Sequence, residues 1–165
     1  MHHAFGLPLT IARPFNTYGP RQSARAIIPS LITQLASGKN EIMAGNLTPT
    51  RDLNYVGDTV QGMILLADCK AAIGETVNIG SNSEISMSDL AQTIKTLMQS
   101  DAVIQTEDQR LRPDASEVFR LWCDNSKIKK LVNYHPQYSL EQGLASTITW
   151  IKKNLAKYKA NIYNV

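Results

Sequence analysis

At 165 residues, with 43% hydrophobic and 19% charged side chains, the chain has the size and mix of one globular domain able to build a core. A net charge of +3, with no basic stripe carrying interleaved aromatics, argues against nucleic acid as a partner; the lysines at 152, 153, 157 and 159 read as a solvated, dipole-complementing helix end. No apolar run approaches the roughly 18 residues of a membrane span, and no basic n-region followed by an apolar h-region opens the chain, so a cytoplasmic protein with no membrane partner is expected. Cys69 and Cys123 are too far apart in sequence for a zinc spacing or a disulfide framework, and both are expected to be reduced and buried.

His2 and His3 are adjacent, so they point to different sides of any regular element and make a poor metal site. Leu9, Ile11 and Ala12 form a short apolar run between Pro8 and Pro14, the pattern of a buried strand. A polar loop follows: Phe15-Asn16-Thr17-Tyr18, then the loop dipeptide Gly19-Pro20. In open α/β sheets, ligands sit outside the carboxyl ends of strands, which is where this loop would lie.

Pro29 near the start and Gly38 just past the end frame a helix with Ile32, Leu35 and Ala36 on its apolar face. Glu41 to Ala44 reads as a strand and Asn46 to Pro49 as a loop. Asp52 to Val56 alternates as a half-buried strand, Leu53 and Tyr55 inward, Asp52 and Asn54 outward. Asp58 with Gln61 predicts a capping box, and Val60, Met63, Ile64 and Ala67 a buried helical face. Thr76 to Ile79 is a strand, Ser86 with Asp89 an N-cap, and Leu90, Ile94, Leu97 and Met98 fall at helical spacing. Ala102 to Thr106 is a strand, and 105–117 a polar loop broken by Pro113. Asp124 or Asn125 caps a short helix carrying Ile128, Leu131 and Val132. Ser139 with Gln142 is a second capping box, opening a helix whose face is Leu140, Leu144, Ile148, Ile151 and Leu155. The stretch 161–165 reads as a frayed tail.

The segment RPFNTYGPRQ resembles the R-x-F-N-x-Y-G-P stretch of the extended short-chain dehydrogenase/reductase family, the nucleotide-sugar epimerases and 4,6-dehydratases. The resemblance runs to about Leu155 and covers only that family's second half. It implies an α/β chain: an incomplete Rossmann-like fold holding the last strands of the parallel sheet, plus the small α/β substrate-binding domain. Within a single unit 1–165, residues 1–22 and 74–82 would be the remnant of the cofactor-domain sheet. The lean of TRDLNYV and RPDASEVFRL is slight and towards dehydratases acting on UDP- or GDP-sugars.

The family binds NAD on a glycine-rich turn, where backbone N–H groups approach the pyrophosphate. The glycines here, at 6, 19, 38, 45, 57, 62, 74, 80 and 143, never take the spacing G-x-G-x-x-G or G-x-x-G-x-x-G. The family's Tyr-x-x-x-Lys pair is also missing: four residues after Tyr18, Tyr55, Tyr134, Tyr138 and Tyr158 stand Gln22, Thr59, Tyr138, Gln142 and Ile162. The expectation is therefore no catalytic residue, no cofactor bound by this chain alone, and no turnover by it. The orphaned parallel strands would leave exposed edges and apolar faces, so a homo-oligomer or pairing with a separate NAD-binding half is expected; a non-catalytic scaffold module and a complementing half of a split enzyme are the alternatives.

What remains is the substrate side. A nucleotide sugar carries a diphosphate, which calls for arginine forks and amide donors. The resemblance assigns Asn16 of RPFN to the sugar nucleotide near its diphosphate, Arg51 of TRDLNYV to the diphosphate, and Arg112 of RLRPDASEV to its other side, with Arg110 as the near alternative. The ligand would be a UDP-, GDP- or dTDP-sugar. Without the resemblance, Arg51 beside Asp52 is equally a solvated pair, Arg112 a loop charge, and Asn16 a turn residue. Pro14 and Phe15 match strand-end positions near the nicotinamide, Tyr18 reads as core, and His135 as a surface residue.

Overall fold

The structure, a computed structural model that describes residues 2–110 and 117–158, is an α/β arrangement of short, mostly parallel strand pairs and helices. After helix α1 (His2–Phe5), strand β1 (Ile11–Pro14) pairs in parallel with β6 (Thr76–Ile79), in register Ile11 with Thr76 through Pro14 with Ile79. Strand β2 (Asn16–Tyr18) pairs in parallel with β5 (Leu53–Tyr55), and β3 (Glu41–Ala44) with β8 (Val103–Thr106). Strand β4 (Thr50–Arg51) lies between antiparallel β7 (Ile85–Ser86) and parallel β9 (Arg120–Leu121). Thus 10–22, whose strand was expected at Leu9 to Ala12, becomes two strands in succession, with β1 ending at Pro14.

The main core lies between β3 and helices α2 (Ile27–Ala36), α4 (Met87–Met98) and α6 (Leu140–Lys153), around Ile32, Ile42, Leu90, Ile94 and Leu144. Helix α2 ends as expected, with Gly38 at φ +74 just past its C-cap Ser37. Gln34 of α2 clamps β3 as a second strand would: its Oε1 accepts from Met43 N at 2.8 Å and its Nε2 donates to Met43 O at 3.0 Å. Helix α4 is capped by Ser86 Oγ accepting from Asp89 N at 3.0 Å. Helix α6 carries the full Ser139–Gln142 capping box and stops at Lys153, with Leu155 in a short 3-10 turn. A second cluster, Leu66, Val77, Ile79, Ile128 and Tyr134, joins β6 to helices α3 (Val56–Ala67) and α5 (Ser126–Val132). In α5 it is Asp124 Oδ1 that accepts from Ser126 N, while Asn125 turns its amide to Gly80 O.

Three expectations fail around β5 and α3. Asp52 and Asn54 are the buried residues of their strand, at 0% and 1% exposure, while Leu53 and Tyr55 are half-buried. The polar side turns inward because its hydrogen bonds are met there: Asn54 Nδ2 donates to Thr59 Oγ1 at 2.8 Å, and Tyr134 OH donates to Asn54 Oδ1. Asp58 is not an N-cap, since α3 already begins at Val56; its carboxylate accepts from Gln137 N at 2.7 Å and from Tyr138 N, pinning the segment before α6. Helix α3 buries Thr59, Gly62 and Leu66 and leaves Val60, Met63 and Ile64 exposed. Gly62 selects that side: a Cβ there would stand 2.8 Å from Ile79, so the helix can lie directly on β6. Of the two unpaired cysteines, Cys123 is buried and Cys69 is only half-buried.

Candidate functional site

A cavity of about 370 Å³ opens between the end of β2, the start of α2, the end of β3, and β4. Asn16, Arg51 and Arg110 all line it, together with Arg25, Gln22 and Glu117. Parallel pairing of Asn16 with Leu53 brings RPFNTYGP against TRDLNYV, and Asn16 Nδ2 donates to Asp52 O at 3.2 Å. Residues 35 positions or more apart in sequence therefore share one wall, as the resemblance implies for Asn16 and Arg51. Arg112 lies outside the described residues; its near alternative, Arg110, lines the cavity.

Arg51 does not pair with Asp52. Its Nη1 donates to Thr50 O at 2.9 Å and its Nη2 to Glu117 Oε1 at 3.1 Å, with both side chains largely buried. Arg110 Nε donates to Glu107 Oε2 at 2.6 Å, and its Nη1 reaches Ser30 Oγ at 3.5 Å. Arg25 is exposed at the mouth. Beside this cationic wall lie apolar groups, Ile28, Leu31, Met43 and Leu53 among them. Such a cavity can seat a ligand that is anionic at one end and flat or apolar at the other. Gln22 Nε2 donates to Thr17 O at 3.1 Å, while its buried Oε1 meets no donor among the described residues.

The scaffold behind the wall is Asp52. Its Oδ1 accepts from Ser81 N at 2.9 Å and Ser81 Oγ at 2.7 Å, and its Oδ2 from Asn82 N at 2.9 Å and Cys123 N at 3.3 Å. One buried carboxylate thus ties β4–β5 to the loop after β6 and to the end of β9. Gly80 makes room for this junction, since a Cβ there would come within 2.5 Å of Cys123 Cβ. Burial, helped by Asp52 and Asp124, pushes the Cys123 thiol up to about 12, so it stays protonated and unreactive. Tyr18 is core as expected: its hydroxyl donates to Leu140 O at 3.1 Å and its ring meets Tyr55 edge-on. Burial, then Tyr55, Asp58 and Glu141, raise its phenol. His135 is at the surface, 3.1 Å from Asn133 Oδ1.

Sequence reasoning missed Glu117, Arg25 and the anchoring role of Asp52. Glu117 stands in the same RLRPDASEV segment that supplied Arg110 and Arg112, so the segment was found but its acid was not. The donors to Asp52 lie 29, 30 and 71 residues away, and nothing local in the sequence signals them.

The loop after β6 presents successive backbone donors, Ser81 N and Asn82 N, but the Asp52 carboxylate already fills that nest. Among the described residues no three His, Cys, Asp or Glu side chains are grouped to hold a metal, and no helix is long and apolar enough to cross a membrane.

Known proteins share both this geometry and this sequence. The sequence model of the family described as GDP-mannose 4,6 dehydratase matches residues 1–147. A UDP-N-acetyl-alpha-D-glucosaminuronate decarboxylase from Bacillus cytotoxicus is 35% identical over 153 residues, covering 90% of this chain and 47% of that protein. The solved UDP-glucuronic acid 4-epimerase from Bacillus cereus, in complex with UDP-glucuronic acid and NAD, superposes with a TM-score of 0.83 at 31% identity, over 93% of this chain and 48% of that one. A dTDP-glucose 4,6-dehydratase from Bacillus anthracis in complex with NAD gives 0.83 at 28% identity, over 93% and 47%. The chain belongs to the GDP-mannose 4,6 dehydratase family, among the nucleotide-sugar dehydratases and epimerases, with a Rossmann-like α/β fold. It spans about half the length of the curated relatives it matches.

Proposed function

We propose that residues 1–165 are the substrate-binding half of an NAD-dependent nucleotide-sugar 4,6-dehydratase or epimerase, taking a UDP-, GDP- or dTDP-sugar. The observation that carries this reading is the shared cavity: Asn16 and Arg51, from two separate family segments, line one pocket with Arg110. A guanidinium fork and an amide at a largely buried wall suit a diphosphate, while the apolar stretch between Ile28 and Met43 suits a base. Hydride transfer belongs to a dinucleotide-binding half outside these residues, so the chain alone does not turn over.

Its outer face supports such a partner. Among the described residues β1 pairs only with β6, and Ile11 on β1 and Val60 and Ile64 on α3 stand 52%, 49% and 53% exposed. Parallel strands are normally covered on both faces, and a helix apolar on two sides is normally buried on both.

The test is a thermal-shift panel with UDP, GDP, dTDP, their sugars and NAD. A ligand at about 100 times its Kd adds about 2.7 kcal/mol of stability. One nucleotide diphosphate series should raise Tm by several degrees, and Arg51→Ala should abolish the shift. A flat panel from the folded protein would overturn the reading.

A further inference from the structure

We propose that Glu117 is the resident counter-ion of Arg51, occupying the seat a diphosphate would take, and that ligand entry exchanges one anion for the other. The inference rests on the substrate-site reading above and concerns how that site is held between ligands.

Arg51 and Glu117 face each other inside the cavity, at 3.1 Å, with their side chains only 15% and 9% exposed. The second terminal nitrogen of Arg51 is spent on Thr50 O. A guanidinium grips phosphate by presenting two N–H groups side by side. Here each terminal nitrogen already gives one of its N–H groups, one to the backbone and one to a carboxylate, so an anion approaching the Nη2 side meets Glu117 first. The acid also answers a problem of the empty site: a buried guanidinium without a partner is costly, and Glu117 supplies one.

The two anions compete for the Nη2 side of the guanidinium. A diphosphate bonded to Arg51 while Glu117 stays at 3.1 Å would place like charges within a few ångströms in a partly desolvated wall. The carboxylate has somewhere to go. Val118 and Phe119 immediately after it are exposed, and Phe119 O accepts from Thr50 N at 2.9 Å. Glu117 thus sits just outside the ladder of β9, where its side chain can leave without breaking a strand. Arg110 has an acid of its own, Glu107, which does not line the cavity, so the exchange is specific to Arg51. Glu117 acts through Arg51 and is a positioning residue.

The test is calorimetric titration of the folded chain with inorganic pyrophosphate, which has no base or ribose for Glu117 to touch, and with UDP, GDP and dTDP in parallel. Glu117→Gln should bind pyrophosphate about tenfold more tightly than the wild type, because the competent state of Arg51 is no longer taxed by its competitor. Glu117→Asp, which keeps the charge, should stay near wild type. The gain should vanish in Arg51→Ala/Glu117→Gln. Unchanged or weaker pyrophosphate binding by Glu117→Gln overturns the exchange, as does an equal gain in Glu117→Asp, which would signal packing and not charge. If one of UDP, GDP and dTDP binds the wild type but Glu117→Gln gains nothing, only the exchange falls. If none of UDP, GDP and dTDP binds any variant, the substrate-site reading falls and takes the exchange with it.

Discussion

Arg51 and Asp52 are neighbours in the chain and bond to opposite parts of the molecule. Arg51 Nη2 meets Glu117 Oε1 in the cavity, while the Asp52 carboxylate is fully buried and collects donors from Ser81, Asn82 and Cys123. A motif that reads as a surface ion pair is a cavity-facing cation backed by a structural anchor. Replacing Asp52 by Ala leaves the buried Cys123 N–H and the partly buried donors of Ser81 and Asn82 without their acceptor, at about 1–3 kcal/mol for the buried one and less for those water can reach. The expected loss is about 3 kcal/mol or more in urea unfolding, or roughly 10 °C in Tm. Asp52→Asn should lose less, because one acceptor oxygen remains.

Gly143 and Tyr18 form a second close pair. A Cβ on Gly143 would overlap the Tyr18 hydroxyl and ring edge. Gly143→Ala should cost about 1–3 kcal/mol by overpacking. Tyr18→Phe should cost about 1 kcal/mol, for the bond to Leu140 O. The double variant should be more stable than the sum of the two losses, since Phe withdraws the clashing oxygen. A denaturation cycle across the four proteins reads this coupling directly.

Stability should fall in alkali, and Cys123 sets where the fall begins. Its folded value is pushed up to about 12, above the ordinary thiol near 8.5. The native state therefore holds its proton where the unfolded chain has released it. That contribution is complete below about pH 8.5 and is lost as pH rises towards about 12. Tyr134, also raised to about 12 by burial, adds to the loss above about pH 10. Urea midpoints measured from pH 8 to 11 should decline, and Cys123→Ala should shallow the first part of the slope. In the native state a thiol reagent at pH 8 should label Cys69 first.

The exposed side of α3 should govern association. Ile64 is 53% exposed, so Ile64→Glu should change the unfolding free energy by less than about 1 kcal/mol. It should nevertheless shift sedimentation at tens of micromolar towards the monomer. A wild-type chain that is already monomeric there would remove the case for a free apolar docking face.

Local chemistry was legible in the sequence and long-range chemistry was not. The Ser139–Gln142 box, the Ser86 cap and the strands 41–44 and 76–79 depend on neighbours within a few residues, and each stands where its pattern puts it. The motif residues Asn16 and Arg51 also reach one cavity. The inverted faces of β5 and α3 have a common cause. Periodicity shows that a face is apolar without showing what covers it, and Gly62, which has no hydrophobic side chain to count, decides which side of α3 meets β6. Glu117 was passed over because an acid in a cation-rich segment has no meaning until its partner, 66 residues away, is known.

The amide of Gln34 leaves the small strand pair with an asymmetric future. By filling the donor and the acceptor of Met43, it hems the outer border of β3 with a covalently attached side chain, so no stray peptide can add a rung there. The border of β1 carries no such hem among the described residues. Of these two borders, an added strand would therefore meet β1 and not β3.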